Sequence, residues 1–246
     1  MIFLHGGGDH PDFRTNTIGR FIRAATVNAV CNLALIVVEK NKDDARQSYG
    51  DYEKIFLATE LSISGIHPIL LCPPQPLEKS QLEKINPTGV FVCGGSTPLY
   101  HQLLCTDPQW VSYLETNQIP YGGTSAGAAV AANQAILGGW RTSKDGVDRE
   151  ILFQGAGEGL DQVTVQSGLD LVPFGVDVHA SQMGTLTRLL HAVESGLVAT
   201  GWAIDENTII QVEQGVVSVY GQGQAYQIWR DECDMVRVKI HRGLRV

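Results

Sequence analysis

The segment that most constrains the fold runs from Ile119 to Val130. In it, an apolar stretch leads into Gly123-x-Ser125-x-Gly127, and an alanine-rich stretch follows. This order predicts a strand, a sharp turn and a helix, because the flanking glycines lack the Cβ atoms that would block so tight a turn. A serine in that turn lies at the amino end of the helix, where free N–H groups face a reacting carbonyl. The pattern is typical of a nucleophile elbow, or else of a serine that only caps the helix.

Length and composition limit the classes of protein to consider. The 246 residues, 43% of them hydrophobic, are enough for one large α/β domain, which we predict to span residues 1–246. A net charge of −8 without a basic cluster argues against nucleic acid as a partner. The five cysteines form no C-x-x-C pair, which favours a reducing, cytoplasmic compartment. The sequence contains no signal peptide pattern and no apolar run of transmembrane length, so no membrane partner is expected.

Strand-like and helix-like stretches alternate along the chain. This alternation predicts a mostly parallel sheet covered by helices on both faces. The stretch Gly138–Gly168 lacks clear periodicity and is predicted to be a long loop near the site. The predicted strands are Met1–Leu4, Leu33–Glu39, Pro68–Cys72, Gly89–Cys93, Pro120–Thr124, Val176–Val178, Leu197–Asp205, Thr208–Glu213, Gly215–Tyr220 and Ala225–Trp229, and the predicted helices are Thr17–Val30, Asp51–Ser64, Ser80–Lys84, one from about Pro98, and Leu186–Val193.

A serine nucleophile needs a base, which is usually a histidine. Among the seven histidines, His179 directly follows a predicted strand and precedes a predicted helix. It is therefore expected at the carboxyl edge of the sheet, where open α/β sheets build their sites and where Ser125 also lies. The plainer interpretation is a surface histidine in a connecting loop.

Five motifs in the order of the chain carry a resemblance to a known family. They are Gly94-Gly95, Gly122-Gly123-Thr124-Ser125-Ala126-Gly127-Ala128, Gly168-Leu169-Asp170-Leu171-Val172-Pro173, Asp177-Val178-His179-Ala180-Ser181-Gln182 and Gly201-Trp202-Ala203-Ile204-Asp205-Glu206-Asn207-Thr208. Together they resemble the cyanophycinase and dipeptidase E family of serine peptidases, and the cyanophycinase branch more closely. The resemblance covers roughly residues 89 to 225, while the N-terminal third agrees only in its pattern of strands and helices.

The resemblance implies a fold and a catalytic mechanism. The fold is a three-layer α/β/α sandwich like that of class I glutamine amidotransferases, and the family uses no metal or cofactor. Its serine-type peptidase chemistry places the nucleophile on Ser125, the base on His179 and the carboxylate on Glu206, although neighbouring Asp205 is an alternative for the third role. The implied oxyanion-hole donors are the backbone N–H of Ala126 and one from Gly94 or Gly95.

The specificity segment departs from the family pattern. A glutamine of the family's histidine segment is replaced by Val178, and two arginines are replaced by Met183 and Thr185. Arg188 remains. Because arginine binds carboxylates through two parallel hydrogen bonds, these changes predict weak recognition of β-aspartyl substrates.

The resemblance also implies which residues contact the substrate. These are Ser96, in the segment where the family has an acidic residue and a glutamine, Gln182 and Arg188. We expect a small peptide or amide substrate with a less acidic recognition group. Members of the family include monomers and dimers, so the resemblance is compatible with a homodimer.

Two other functions are consistent with parts of the sequence. The run His5-Gly6-Gly7-Gly8 matches the oxyanion motif of α/β-hydrolase esterases, in which His241 would be the base and Asp205 or Asp231 the acid. Against this, the run follows only one predicted strand. The altered specificity segment is instead compatible with a non-catalytic, amidotransferase-like binding domain.

Overall fold

The computed structural model describes residues 1–144 and 146–244. Its strands are β1 Ile2–His5, β2 Asn32–Val38, β3 Gly65–Leu71, β4 Gly89–Val92, β5 Tyr121–Thr124, β6 Gln134–Gly138, β7 Arg141–Lys144, β8 Val147–Glu150, β9 Thr164–Ser167, β10 Gly175–Val178, β11 Thr200–Ile204, β12 Thr208–Glu213, β13 Val216–Gly221, β14 Gln224–Arg230 and β15 Val236–Arg242. Its α-helices are α1 Ile18–Ala25, α2 Lys42–Leu57, α3 Lys79–Ile85, α4 Thr97–Leu104, α5 Gln109–Thr116, α6 Ala126–Ala129 and α7 Leu186–Glu194.

A seven-stranded sheet forms the centre of the protein, in the order β13-β12-β1-β5-β4-β2-β3. The strands β1, β5, β4, β2 and β3 are parallel to one another, and β12 and β13 form an antiparallel edge. Because helices link the parallel strands, their carboxyl ends meet at one edge of the sheet. The predicted mostly parallel α/β architecture is confirmed.

The side chains of β2 show why this sheet is covered on both faces. Successive strand residues point to opposite faces. Leu33, Leu35 and Val37 pack in a cluster with residues of α1 and α2. Ala34 and Ile36 pack in a second cluster with residues of α4, α5 and α6. The strand is therefore a continuous apolar run, as expected for a parallel strand buried on both faces, and three layers result.

A second sheet, in the order β10-β11-β14-β15, flanks the central one. Trp202 and Val176 from one of its faces join the cluster beneath the central sheet. On the other face, Ala203 packs with Leu189 and Val193 of α7. Strands β10 and β11 are parallel, so the segments that follow them leave the sheet on the same side.

Helix α2 begins earlier than predicted. It starts at Lys42 rather than Asp51, because the Asn41 side chain accepts hydrogen bonds from the N–H groups of Asp43 and Asp44, at 3.1 and 3.0 Å. An asparagine cap followed by acidic residues in the first turn satisfies free N–H groups and favours the helix dipole. The sequence carried this signal, and the prediction missed it.

The prediction of a long loop over Gly138–Gly168 is wrong for the described part of that stretch, which excludes residue 145. Strands β7 and β8 form a hairpin, and β9 pairs with β6. The residues of β8 are all exposed, so the stretch has no alternation of apolar and polar residues to reveal it. Strand β15 and helix α5 were also missed. Within residues 1–144 and 146–244, no helix combines the length and apolar character needed to cross a membrane.

Candidate active site

Ser125 occupies the turn between β5 and α6. Its backbone has φ 50° and ψ −117°, a conformation that non-glycine residues rarely adopt and that is found at nucleophile elbows. Its N–H donates to the carbonyl of His5 at 3.0 Å, which ties the turn to the end of β1. The helix that follows has only four residues, ending at Ala129, so the predicted longer alanine-rich helix is not formed.

His179 lies directly after β10 and reaches the serine. Its Nε2 is 2.9 Å from Ser125 Oγ, across 54 residues of chain. The histidine also has a left-handed backbone, with φ 57°, and its N–H donates to the carbonyl of Gly6 at 3.0 Å. The turn after β10 is therefore held against the turn after β1.

Glu206 contacts the other nitrogen of the same ring. Its Oε1 is 2.8 Å from His179 Nδ1. The neighbouring Asp205 is buried and points elsewhere, since its two oxygens accept hydrogen bonds from the N–H groups of Ser181 and Gln224, each at 3.0 Å. Of the two acids that the sequence left open, Glu206 is the one that contacts the histidine.

The glycines after β1 make room for this arrangement. A Cβ on Gly7 would lie 2.1 Å from Cε1 of His179, and Gly7 has φ 96°. The carbonyl of Gly7 also accepts the N–H of Asn207 at 2.7 Å. Glycine is therefore required here both by the imidazole ring and by the backbone conformation.

Two backbone N–H groups near Ser125 are free to bind a ligand oxygen. Those of Ala126 and Gly95 donate to no acceptor within the described part of the chain. The N–H of Gly94 is already used, because it donates to the Tyr52 hydroxyl at 2.8 Å. The Gly-Gly turn thus offers one free donor, from Gly95, rather than a choice of two.

A cleft of about 520 Å³ opens over the serine and histidine. The charged groups among its lining residues are Asp9 and Asp51, and none of the arginines and lysines that the structure describes lines it. The side chain of Asp9 is paired with Arg14, and that of Asp51 with Lys54. Among the residues that the structure describes, no group of three or more histidine, cysteine, aspartate or glutamate side chains is arranged to hold a metal ion.

Comparison with known proteins places the fold. No family model matches the sequence. The structure is similar to a peptidase from an acI-B1 actinobacterium, with a TM-score of 0.66 and 13% identity over 99% of this chain and 94% of that one. It is also similar to a putative peptidase E protein from Listeria monocytogenes EGD-e, with a TM-score of 0.54 and 16% identity over 89% and 97% of the two chains. The chain has a peptidase E-like fold. At these identities the likeness establishes the fold alone.

In this peptidase E-like fold Arg188 does not face the cleft, contrary to the prediction that it binds substrate. Its Nε and Nη2 donate to the two carboxylate oxygens of Asp177 at 2.8 and 2.6 Å. Its Nη1 donates to the carbonyl of Ala156 at 2.7 Å. The arginine side chain is 6% exposed and that of Asp177 2%. The guanidinium is used for internal structure, because a buried cation must be paired.

The other two predicted substrate contacts lie outside the cleft lining. Gln182 Oε1 accepts the N–H of Glu206 at 3.0 Å, so this side chain supports the segment that carries the carboxylate. Ser96 is exposed at the start of α4 and makes no side-chain cap bond. Contact between Ser96 or Gln182 and a substrate stays a prediction.

The esterase alternative requires His241 to be the base, but the structure places His241 outside the lining of the cleft around Ser125. His241 lies in β15, opposite Ala225 in the sheet. Its ring packs against Trp202, with the centroids 4.8 Å apart. The histidine that contacts Ser125 is His179, so the esterase arrangement is not formed.

Tyr52 and His5 are among the residues of the cleft wall that the sequence did not reveal as part of the site. The sequence predicts a role for His5 only within the run His5-Gly6-Gly7-Gly8. His5 is buried, and its Nδ1 is 3.0 Å from Thr124 Oγ1, one residue before the elbow. Both side chains come from elements that meet Ser125 only in the folded protein, and no local pattern marks them.

We expect His5 to make folding stability fall as the solution is acidified. Burial, and next the nearby His179, lower the pKa of His5 from 6.5 to about 4. The unfolded chain therefore binds a proton between these values that the folded chain does not. The stability linked to His5 is complete above about pH 6.5 and is lost as pH falls towards 4, about 3 kcal/mol in all. Urea denaturation at a series of pH values measures this loss.

The variants for this experiment are His5→Gln and His10→Gln. Glutamine at position 5 can keep a hydrogen bond to Thr124 and does not titrate, so the pH dependence between 6.5 and 4 should flatten by about that amount. His10 is about half exposed and serves as the matched control, which should follow the wild-type curve. An unchanged slope in His5→Gln would contradict the assignment.

Proposed function

We propose that the chain is a serine-type peptidase or amidase that forms an acyl-enzyme on Ser125. The observation that carries the proposal is the continuous contact from Ser125 Oγ through the ring of His179 to Glu206, at 2.9 and 2.8 Å. A nucleophile, a base and a carboxylate in this order activate a hydroxyl that is otherwise a weak nucleophile. That the structural neighbours are described as a peptidase and a putative peptidase E agrees with it.

The proposed reaction uses each group in turn. Ser125 Oγ attacks the substrate carbonyl carbon while its proton passes to Nε2 of His179. Glu206 accepts a hydrogen bond from the Nδ1–H of His179 and stabilises the imidazolium that forms. The carbonyl oxygen, now negative, is bound by the free N–H groups of Ala126 and Gly95. His179 then returns the proton to the leaving amine, and water releases the acyl group by the same steps.

The specificity that we propose follows from the charges of the cleft. An acidic substrate side chain would meet none of the described arginines and lysines in the lining. The two charged side chains there, Asp9 and Asp51, are carboxylates, and both are already paired, with Arg14 and Lys54. We propose that Arg188 does not fill this role, because it is buried and its Nε, Nη1 and Nη2 all donate to internal acceptors. The substrate is therefore proposed to be a small peptide or amide with a neutral or cationic recognition group rather than a β-aspartyl unit.

Labelling and a substrate panel test the two parts of the proposal. A fluorophosphonate probe should label the wild-type protein at one site and leave Ser125→Ala unlabelled, while Ser112→Ala, an exposed serine of α5, should label normally. Hydrolysis of a dipeptide panel should favour neutral and cationic N-terminal residues. We expect kcat/KM for β-aspartyl-arginine to be lower by roughly 10²-fold, the effect of about 3 kcal/mol for a carboxylate that binds without a partner. No labelling would refute the nucleophile, and efficient β-aspartyl cleavage would refute the specificity.

A further inference from the structure

We propose that the side-chain hydroxyl of Tyr52 is a third donor of the oxyanion hole, an inference that rests on the proposed acyl-transfer function. Tyr52 belongs to α2 and lines the same cleft as Ser125 and His179. Its Oη accepts the N–H of Gly94 at 2.8 Å. The N–H of Gly94, which could otherwise donate to the substrate, therefore donates to the tyrosine hydroxyl.

The tyrosine hydroxyl is close to the nucleophile. A Cβ built on Gly94 would lie 2.8 Å from Tyr52 Oη and 3.0 Å from the Cβ of Ser125. The two side chains thus border the same small space, which the absence of a side chain on Gly94 leaves open. An oxygen atom bound next to Ser125 in that space is within reach of a hydrogen bond from the phenol.

The proton of this hydroxyl has no acceptor within the residues that the structure describes. A phenol donates one proton and can also accept. The neighbouring tyrosines use theirs, because Tyr100 donates to the carbonyl of Gly94 at 2.9 Å and Tyr121 donates to that of Gly127 at 2.6 Å. Only acceptance from Gly94 is found for Tyr52. Its proton is therefore available to a ligand in the cleft.

The environment keeps the Tyr52 hydroxyl protonated and makes it a stronger hydrogen-bond donor. Burial raises the pKa of the Tyr52 phenol, so it remains protonated at neutral pH. A hydroxyl whose oxygen accepts a hydrogen bond becomes a better donor, so Gly94 N–H acts on the oxyanion through Tyr52. When Ser125 attacks, its own proton goes to His179, the carbonyl electrons move onto oxygen, and Tyr52 donates a hydrogen bond without giving up its proton.

The experiment compares Tyr52→Phe with Tyr49→Phe. Tyr49 lies on the same helix but outside the cleft lining, and its hydroxyl donates to Glu53. The reagent is a fluorophosphonate whose P=O oxygen occupies the oxyanion hole during reaction with Ser125. We expect the limiting labelling rate of Tyr52→Phe to fall by roughly 10²-fold at nearly unchanged half-saturating concentration, since one donor is lost. Tyr49→Phe should label like the wild type.

Three results would overturn the inference. The first is a wild-type labelling rate in Tyr52→Phe, and the second is a faster rate, which would mean that the hydroxyl blocks Gly94 N–H rather than replacing it. The third is an effect of Tyr52→Phe seen only as a higher half-saturating concentration of the probe, or a slower labelling rate that is accompanied by a lower free energy of unfolding in urea denaturation. Wild-type protein that the probe does not label at Ser125 would instead refute the proposed function, so the two failures are distinguishable.

Discussion

Replacing Ser125 by alanine should lower kcat by roughly 10⁴–10⁶-fold, and His179→Ala should cost a similar factor. The double variant should be no slower than either single variant, because the two side chains act as one unit and the loss of either ends proton transfer from the hydroxyl. Glu206→Gln should cost roughly 10²–10⁴-fold, since an amide no longer stabilises the imidazolium. Steady-state kinetics on the best substrate of the dipeptide panel measure all four variants.

The matched control for the carboxylate is Glu232→Gln. Glu232 is exposed and outside the cleft, so this variant should keep wild-type kinetics. Urea denaturation of each variant separates lost chemistry from lost folding. Additive losses in Ser125→Ala/His179→Ala, or full activity in Glu206→Gln, would contradict the prediction. They would show that Ser125, His179 and Glu206, in contact at 2.9 and 2.8 Å, do not act as one catalytic unit.

Replacing Arg188 by alanine should lower the free energy of unfolding by about 3–5 kcal/mol, the largest stability effect that we expect from a single polar side chain. The reason is that Asp177 would stay buried with an unpaired negative charge, while the carbonyl of Ala156 would lose its donor. Urea denaturation near neutral pH measures the change.

Two further variants test whether the loss of stability comes from the unpaired buried charge of Asp177. Arg237→Ala, which breaks a half-exposed ion pair with Asp231, should lower the free energy of unfolding far less than Arg188→Ala does. The double variant Arg188→Met/Asp177→Leu should recover a large part of the stability, because it removes both charges together. If Arg188→Ala folds with normal stability but an increased KM, the arginine binds substrate after all, and its assignment as an internal structural residue fails.

Elements with a local signal were predictable. The apolar runs of β2 and β4 and the glycine-serine turn after β5 are encoded by adjacent residues, so their place in a parallel sheet followed from spacing alone. The hairpin of β7 and β8 has no such signal, since the residues of β8 are all exposed, and the sequence predicts a loop there. Strand β15 was missed for a similar reason, because most of its side chains are exposed.

The sequence by itself determined the α/β fold class and the residue types able to carry acyl transfer, because both depend on short-range patterns of apolar, glycine and polar residues. Only the tertiary structure decided which of these side chains meet. It put Glu206 rather than Asp205 on His179, turned Arg188 inward onto Asp177, and brought Tyr52 beside Ser125. Such choices depend on the direction of each side chain where separate elements cross. That direction is set by the packing of the whole sheet and its helices, and residues near one another in the chain do not specify it.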